Sequence, residues 1–198
     1  MPPAEGGGME ISMLISKFAD GNVNERVNEM EKKYIISLPN QYKDFLCKYN
    51  GGYTPKTKFK VGKISSDICG FYGVGNVKLS FDTIQMREWV DNSFLPIATD
   101  SFGNYLLIGL ENDSNGKIFF CNHEEGNKVE CIADNLKDFF KYCKSEKISE
   151  TSRLSIKERE DALIARGRGA IITDALRQMW QAEIDKYENM IQEEVIID

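Results

Sequence analysis

Residues 38–52 read LPNQYKDFLCKYNGG, and this stretch decides the fold. Proline at position 39 suits the first position of a helix, where a backbone N–H would have no helical acceptor. The Asn-Gly-Gly at 50–52 ends the helix, because glycine accepts the left-handed conformation without a Cβ clash. The stretch therefore predicts one amphipathic helix. Its buried face consists of Leu38, Tyr42, Phe45, Leu46 and Tyr49.

Two helices are predicted before this one. The first has the i, i+3, i+4, i+7 spacing of a helical face and ends at Asp20-Gly21-Asn22; its apolar residues are Ile11, Leu14, Ile15 and Phe18. The second begins after Asn22 and carries the stripe Val23, Val27, Met30 and Tyr34. Residues 1–8 lack the basic and apolar regions of a signal peptide, so we expect a leader or flexible tail there.

From Lys56 onward the pattern changes to short β-like runs. The predicted elements are strands around 59–61 and 68–74, a helix within 81–90, strands at 95–98, 105–110, 118–121 and 129–132, and a closing helix at 135–143. Turn-forming residues fill 100–104 and 112–116. Helices followed by an antiparallel meander, without βαβ alternation, indicate an α+β fold with helices packed on one face of the sheet.

Composition excludes several classes of protein. The 198 residues are 41% hydrophobic and 11% aromatic, which is enough for a core. No apolar run approaches the ~18 residues of a membrane span, so we expect no membrane contact. The five cysteines stand singly and form no CxxC pair, which argues against a disulfide framework or a zinc site. Buried thiols in a reducing cytoplasm are expected.

Catalytic patterns are not found either. The lone histidine, His123, stands beside Glu124 and Glu125 in a predicted turn, and no second ligand lies at metal-binding spacing. The glycines of 70–75 do not have the spacing of a phosphate-binding loop. We therefore predict no enzyme, no catalytic residue, no metal and no cofactor.

Acidic residues dominate the centre of the chain. Residues 82–130 hold nine carboxylates against three basic side chains, within a chain of net charge −6. Such a surface repels nucleic acid and can steer a basic protein partner. The predicted partner-binding residues, expected near one another at the ends of the sheet, are Asp100, Glu111, Asp113, Glu124 and Glu125.

The last fifty residues form a separate segment. Residues 144–152 resemble a linker, Ser155 and Glu158 match a capping box, and Gly167-Arg168-Gly169 separates a short helix from a longer one at 172–191. The longer helix could clasp the core, dimerise the chain or bind a separate partner, and we favour an intermolecular contact. The predicted docking stripe is Ile172, Leu176, Met179, Trp180, Ile184 and Tyr187.

The stretch at 38–52 matches every fixed position of LPxxYxxFLxxxNGG, a pattern of the Smi/Knr branch of the SUKH superfamily. The runs FLPIATD at 94–100 and Asn122-His123-Glu124 resemble later motifs of that family, in the same order. The resemblance spans about residues 9–143, within a domain that we expect at 9–146, and implies a non-catalytic α+β domain with helices on a curved sheet. The segment 147–198 departs from the family pattern.

The resemblance implies a function in protein binding. Bacterial and phage members act as immunity proteins that neutralise the toxin domain of a polymorphic secreted toxin, and we expect the same here, with a basic nuclease as one fitting partner. The alternative is a regulatory or scaffold adaptor whose C-terminal helices mediate oligomerisation or a second contact. A neighbouring toxin gene would favour the first interpretation.

Overall fold

The computed structural model describes residues 13–19 and 21–197. They divide into two compact units. The first contains the described residues up to Glu146 together with those from Glu193 on, and the second is Lys147–Gln192. The extension predicted from sequence is 147–198, whereas the described residues from Glu193 on belong to the first unit. The leader or tail expected at 1–8 lies outside the described residues.

The first unit is an α+β domain, as predicted. Its strands are β1 (Leu14–Lys17), β2 (Gly52–Val61), β3 (Ile64–Phe71), β4 (Phe94–Thr99), β5 (Tyr105–Gly109), β6 (Ile118–Asn122), β7 (Lys128–Ala133), β8 (Cys143–Ser145) and β9 (Glu193–Glu194). Its helices are α1 (Val23–Tyr34), α2 (Asn40–Tyr49), α3 (Met86–Val90) and α4 (Leu136–Phe140). The strands form one antiparallel sheet in the order β7-β6-β5-β4-β3-β2-β1-β9, and β8 pairs with β2.

Helix α2 packs on the sheet through the predicted face. Tyr42, Phe45, Leu46 and Tyr49 are buried. The ring of Phe45 lies 5.2 Å from that of Phe71 on β3 and 5.8 Å from that of Phe140 on α4. Burial of each large apolar side chain stabilises the domain by about 1.5–3 kcal/mol, so this aromatic cluster fixes the helix to the sheet.

The end of α2 is held by close backbone contacts. Asn50 takes the left-handed conformation, and its side chain accepts from the Val74 N–H at 2.8 Å and donates to the Val74 carbonyl at 3.1 Å. Gly51 has φ +68°, and a Cβ there would lie 2.5 Å from the Phe71 carbonyl oxygen. The Asn-Gly-Gly sequence thus both ends the helix and lets the chain cross close to β3.

The first predicted helix is wrong, because Leu14–Lys17 form strand β1. This strand lies between β2 and β9, with Leu14 opposite Glu194 and Ser16 opposite Tyr53. Residues 13–16 are all buried. A short, continuously buried run of this kind also satisfies helical spacing, so spacing alone could not separate the two structures. Ile11 lies outside the described residues.

Several other boundaries differ from those predicted. Pro39 is the residue before α2 rather than its first residue. The predicted helix within 81–90 is a 3₁₀ turn at Phe81–Thr83 followed by α3. The closing helix α4 ends at Phe140, and Cys143 already begins β8. The predicted linker at 144–152 therefore includes the end of a strand.

The second unit contains the two predicted helices. Helix α5 (Ile156–Ala165) begins with the capping box of Ser155 and Glu158, which confirms that prediction. Gly167 then takes φ +70° and separates it from α6 (Asp174–Tyr187). Helix α6 is shorter at both ends than the predicted 172–191. None of the described helices combines the length and apolar character needed to span a bilayer.

Candidate functional site

Two turns lie side by side at one end of the β4–β7 meander. The turn 100–104 joins β4 to β5, and the turn 123–127 joins β6 to β7. The side-chain oxygen of Asn104 accepts from the His123 backbone N–H at 3.0 Å and lies 3.0 Å from its Nδ1. A Cβ on Gly103 would lie 3.6 Å from the His123 ring. We call this end of the sheet the turn end.

Asp100 holds the first turn from inside. Its Oδ1 accepts from the backbone N–H groups of Phe102 and Asn104, at 2.9 and 2.8 Å. Its Oδ2 accepts from the Ser66 hydroxyl at 2.6 Å and from the Asn104 side-chain amide at 2.8 Å. The residue is buried. All four bonds are internal, so the Asp100 carboxylate positions the turn.

A second carboxylate fixes the same turn to β3. Asp67 accepts from the backbone N–H of Ser101 at 2.9 Å. Together the carboxylates of Asp67 and Asp100 accept from three backbone N–H groups of the turn, those of Ser101, Phe102 and Asn104, and hydrogen bonds to charged groups are stronger than neutral ones. The turn is therefore fixed before any partner arrives.

Phe102 stands on top of this fixed turn. Its side chain is 65% exposed, although it is a large aromatic group. An exposed aromatic residue on a rigid support is the kind of anchor that dominates protein–protein binding energies. Phe102 is not among the residues predicted from sequence, because the composition of 100–104 predicts only a turn. The available signal was one large aromatic among four turn-forming residues.

The predicted acidic residues divide between the two ends of the sheet. Glu124 and Glu125 are exposed in the 123–127 turn, beside His123. Glu125 lies 3.6 Å from the Lys128 ammonium. The pKa of Lys128 is raised mainly by its hydrogen bond to Glu130 and by the Glu130 charge, and to a smaller extent by the Glu125 charge. These two glutamates place negative charge at the turn end.

Glu111 and Asp113 lie at the opposite end, in the 110–117 loop between β5 and β6. One strand of five residues, at about 3.4 Å per residue, separates that loop from the turn end. Glu111 accepts from the Ser93 hydroxyl at 2.9 Å, and Asp113 is exposed in a 3₁₀ turn. The expectation that all five acids form one cluster is therefore wrong, because an antiparallel meander alternates its turns between two ends.

The predicted docking stripe of α6 is only partly covered within the second unit. Tyr187 is buried, and Met179 is 68% exposed. Ile172, Leu176, Trp180 and Ile184 are half-buried.

Polar side chains of α5 cover part of that stripe. The Arg159 guanidinium lies 5.9 Å from the Trp180 ring centre and 2.8 Å from the Glu183 carboxylate. Arg177 and Glu160 make a second ion pair at 2.6 Å. An arginine that stacks on an aromatic ring covers that ring as an apolar side chain would.

A further cleft, of about 470 Å³, lies between α1 and residues 74–82. Met30 and Phe81, both buried, form its apolar floor. Charges of both signs surround it, from Arg26, Glu29, Lys33 and Asp82. The balanced rim favours no ligand of a particular charge. Among the described residues, no group of three potential metal ligands comes together.

Comparison with known proteins places the chain in a family. It is 29% identical over 155 residues to the SPbeta prophage-derived uncharacterized protein YokK of Bacillus subtilis (strain 168), and the alignment covers 66% of this chain and 74% of that protein. No solved structure matches significantly. The model of the SUKH_6 family, described as SMI1-KNR4 cell-wall, matches residues 24–140, more than half of the chain. The chain therefore belongs to the SUKH_6 (SMI1-KNR4) family.

Proposed function

We propose that this chain is an immunity protein that binds and neutralises a toxin domain, and that the turn end is its contact surface. Phe102 carries the proposal, because a large aromatic side chain is held 65% exposed by two carboxylates that fix its backbone. Membership in the SUKH_6 family and the likeness to a prophage-derived protein support it. Binding here requires no catalytic group, cofactor or membrane.

The surroundings of Phe102 fit a basic partner. Glu124 and Glu125 are exposed in the adjoining turn. An aromatic anchor beside a charged rim matches the usual anatomy of a protein interface. Because the turn is already ordered, the binding loses little energy to ordering a loop. The negative rim would speed the approach of a basic toxin such as a nuclease. Because both proteins must meet before the toxin acts, we place the binding in the cytoplasm.

The experiment first tests whether a toxin domain is encoded beside this chain's gene, and then uses that domain in a rescue assay. Cells that express the toxin domain should survive when the chain is co-expressed. Phe102→Ala should lower the affinity by about 30-fold or more, the ~2 kcal/mol of a hot-spot residue. Ile35→Ala is the matched control, and we expect it to bind and rescue like wild type. Ile35 is also exposed, at 87%, but it is close in sequence to Pro39, which approaches Gly116 at the opposite end of the sheet. Equal rescue and equal affinity for Phe102→Ala and wild type would refute the turn end as the contact.

One observation favours the adaptor as a second candidate. The second unit leaves four large apolar side chains exposed: Ile164 at 59%, Ile171 at 47%, Met179 at 68% and Ile191 at 80%. If they form a homodimer contact, the full chain should be dimeric by light scattering, and the Ile164→Glu/Met179→Glu variant should be monomeric. A monomeric wild-type chain at all accessible concentrations would rule out this candidate.

A further inference from the structure

A row of lysines occupies the exposed face of β2. Lys56, Lys58 and Lys60 alternate along the strand and are exposed, while Thr57 and Phe59 between them are 1% and 2% exposed. The adjoining strand β8 adds Lys144, which is also exposed and stands directly opposite Lys58. We call these four residues, Lys56, Lys58, Lys60 and Lys144, the lysine row.

The lysine row has no partner among the described residues. None of its four ammonium groups forms an ion pair within residues 13–19 and 21–197. Asp67 stands across from Lys58 on β3, but its carboxylate accepts from the Ser101 N–H. Glu146 follows β8 near Lys56. Like charges directly opposite each other destabilise a sheet, so the Lys58–Lys144 pair costs stability in the free protein.

Protection of a sheet edge does not account for the lysines of β2. Lysine often occupies edge strands, where it prevents pairing with another chain. Strand β2, however, is interior: it pairs with β3 on one side and with β1 and β8 on the other. Three of the four charges therefore stand on a strand whose edges are already occupied, so edge protection does not explain them.

The spacing of the row indicates the shape of a ligand that fits it. Lys58 and Lys60 lie in the regular part of β2, where alternate residues repeat at about 6.8 Å, twice the rise per residue. Lys56 has φ +56° at the bulge between Tyr53 and Thr57 and lies outside that repeat. An extended peptide repeats its alternate side chains at the same distance, so carboxylates on every second residue can face successive lysines. Tyr142 precedes β8 and lies beside Lys60, whose backbone N–H donates to the Tyr142 carbonyl oxygen at 3.4 Å. Tyr142 is 49% exposed and adds an apolar surface at one end of the row.

The charge of the whole chain decides between an acidic protein and a nucleic acid. A long polyanion would extend beyond the four lysines, and the chain carries a net charge of −6. Exposed acids such as Glu124 and Glu125 would repel it. A short acidic segment presents its charge only to the row. We propose that the lysine row binds an extended acidic segment of a protein partner. This surface adjoins the turn end through Asp67 and carries the opposite charge.

The test measures the binding of a fluorescein-labelled peptide of four Glu-Thr repeats to the full chain. Fluorescence anisotropy reports the binding at about 20 mM salt, where the screening of charges is weak. We expect saturable binding that Lys58→Glu/Lys144→Glu weakens by about tenfold or more, whereas Lys32→Glu/Lys33→Glu, the same charge change on exposed positions of α1, leaves it within about twofold. Lys58→Gln/Lys144→Gln gives an intermediate loss, and circular dichroism verifies the fold of each variant.

Three results would overturn the proposal. The first is that the wild-type chain does not bind the peptide. The second is that both charge-reversal variants lose the same affinity, because such a loss reports net charge alone. The third is that a single-stranded oligonucleotide of equal charge binds more tightly than the peptide and loses that binding in Lys58→Glu/Lys144→Glu, which identifies a nucleic-acid surface. A peptide with the four glutamates in one block should bind more weakly than the alternating one. Phe102→Ala should bind the peptide like wild type, so failure here is distinguishable from failure of the proposed toxin contact.

Discussion

Replacement of Asp100 tests whether this carboxylate supports the turn end or contacts a partner. Asp100→Ala removes the acceptor of four hydrogen bonds, three of them buried. A buried donor without a partner costs about 1–3 kcal/mol. The Asn104 N–H and its side-chain amide both lose their acceptor, while Phe102 N–H and the Ser66 hydroxyl can find water or another acceptor. We therefore expect a loss of about 3–5 kcal/mol in the free energy of unfolding.

A milder variant separates the two carboxylate oxygens. Asp100→Asn keeps one oxygen for the two backbone N–H groups, but its amide then faces the Asn104 amide, which is also a donor. The expected loss is about 1–2 kcal/mol. Urea unfolding followed by circular dichroism measures both variants, with Glu124→Ala as the matched exposed carboxylate, expected to change stability by less than about 0.5 kcal/mol. If Asp100→Ala is as stable as Glu124→Ala, the supporting role of Asp100 is refuted.

Three further predictions concern the rest of the first unit. Phe45→Ala should lower the free energy of unfolding by about 3–5 kcal/mol in the same urea assay, and a loss below about 1 kcal/mol would mean that α2 does not pack as described. Tyr49→Phe removes the hydroxyl that accepts from the Ile196 N–H at 2.9 Å, so hydrogen exchange at Ile196 should accelerate by about fivefold or more, and unchanged exchange would contradict that bond. Burial raises the pKa of the Cys143 thiol, so Ellman's reagent should modify exposed Cys131 in the native protein and Cys143 only after unfolding. If native wild-type protein rapidly labels one thiol more than the native Cys143→Ser variant does, the burial of Cys143 is refuted.

The parts of the fold that sequence predicted are those set by local pattern. Helix α2 has its proline, its apolar face and its Asn-Gly-Gly end within fifteen residues, so every signal agrees. Strands β4–β7 are separated by short turn-forming runs and pair with their neighbours. Strand β1 was mistaken for a helix because its partner β9 lies far along the chain, and no local pattern reports such a pairing.

The candidate site was predictable only in its composition. The excess of carboxylates was visible in 82–130, and Glu124 and Glu125 do lie exposed in one turn. Asp100 could not be told from them, because burial and four internal hydrogen bonds, not residue type, give it a different role. Glu111 was grouped with them because sequence distance does not show which end of a meander a loop occupies.

The pairing of β1 with β9 has a consequence for synthesis on the ribosome. Leu14 and Glu194 are opposite each other in the sheet, so the whole intervening chain must be made before that pair can form. At about 5–20 residues per second, translation of that stretch takes roughly 10–35 s. Throughout this interval the nascent chain carries β1 with its outer backbone groups unpaired, a template for wrong strand association. The nascent first unit therefore has an incomplete sheet edge, open to aggregation and to chaperones, until β9 has been made.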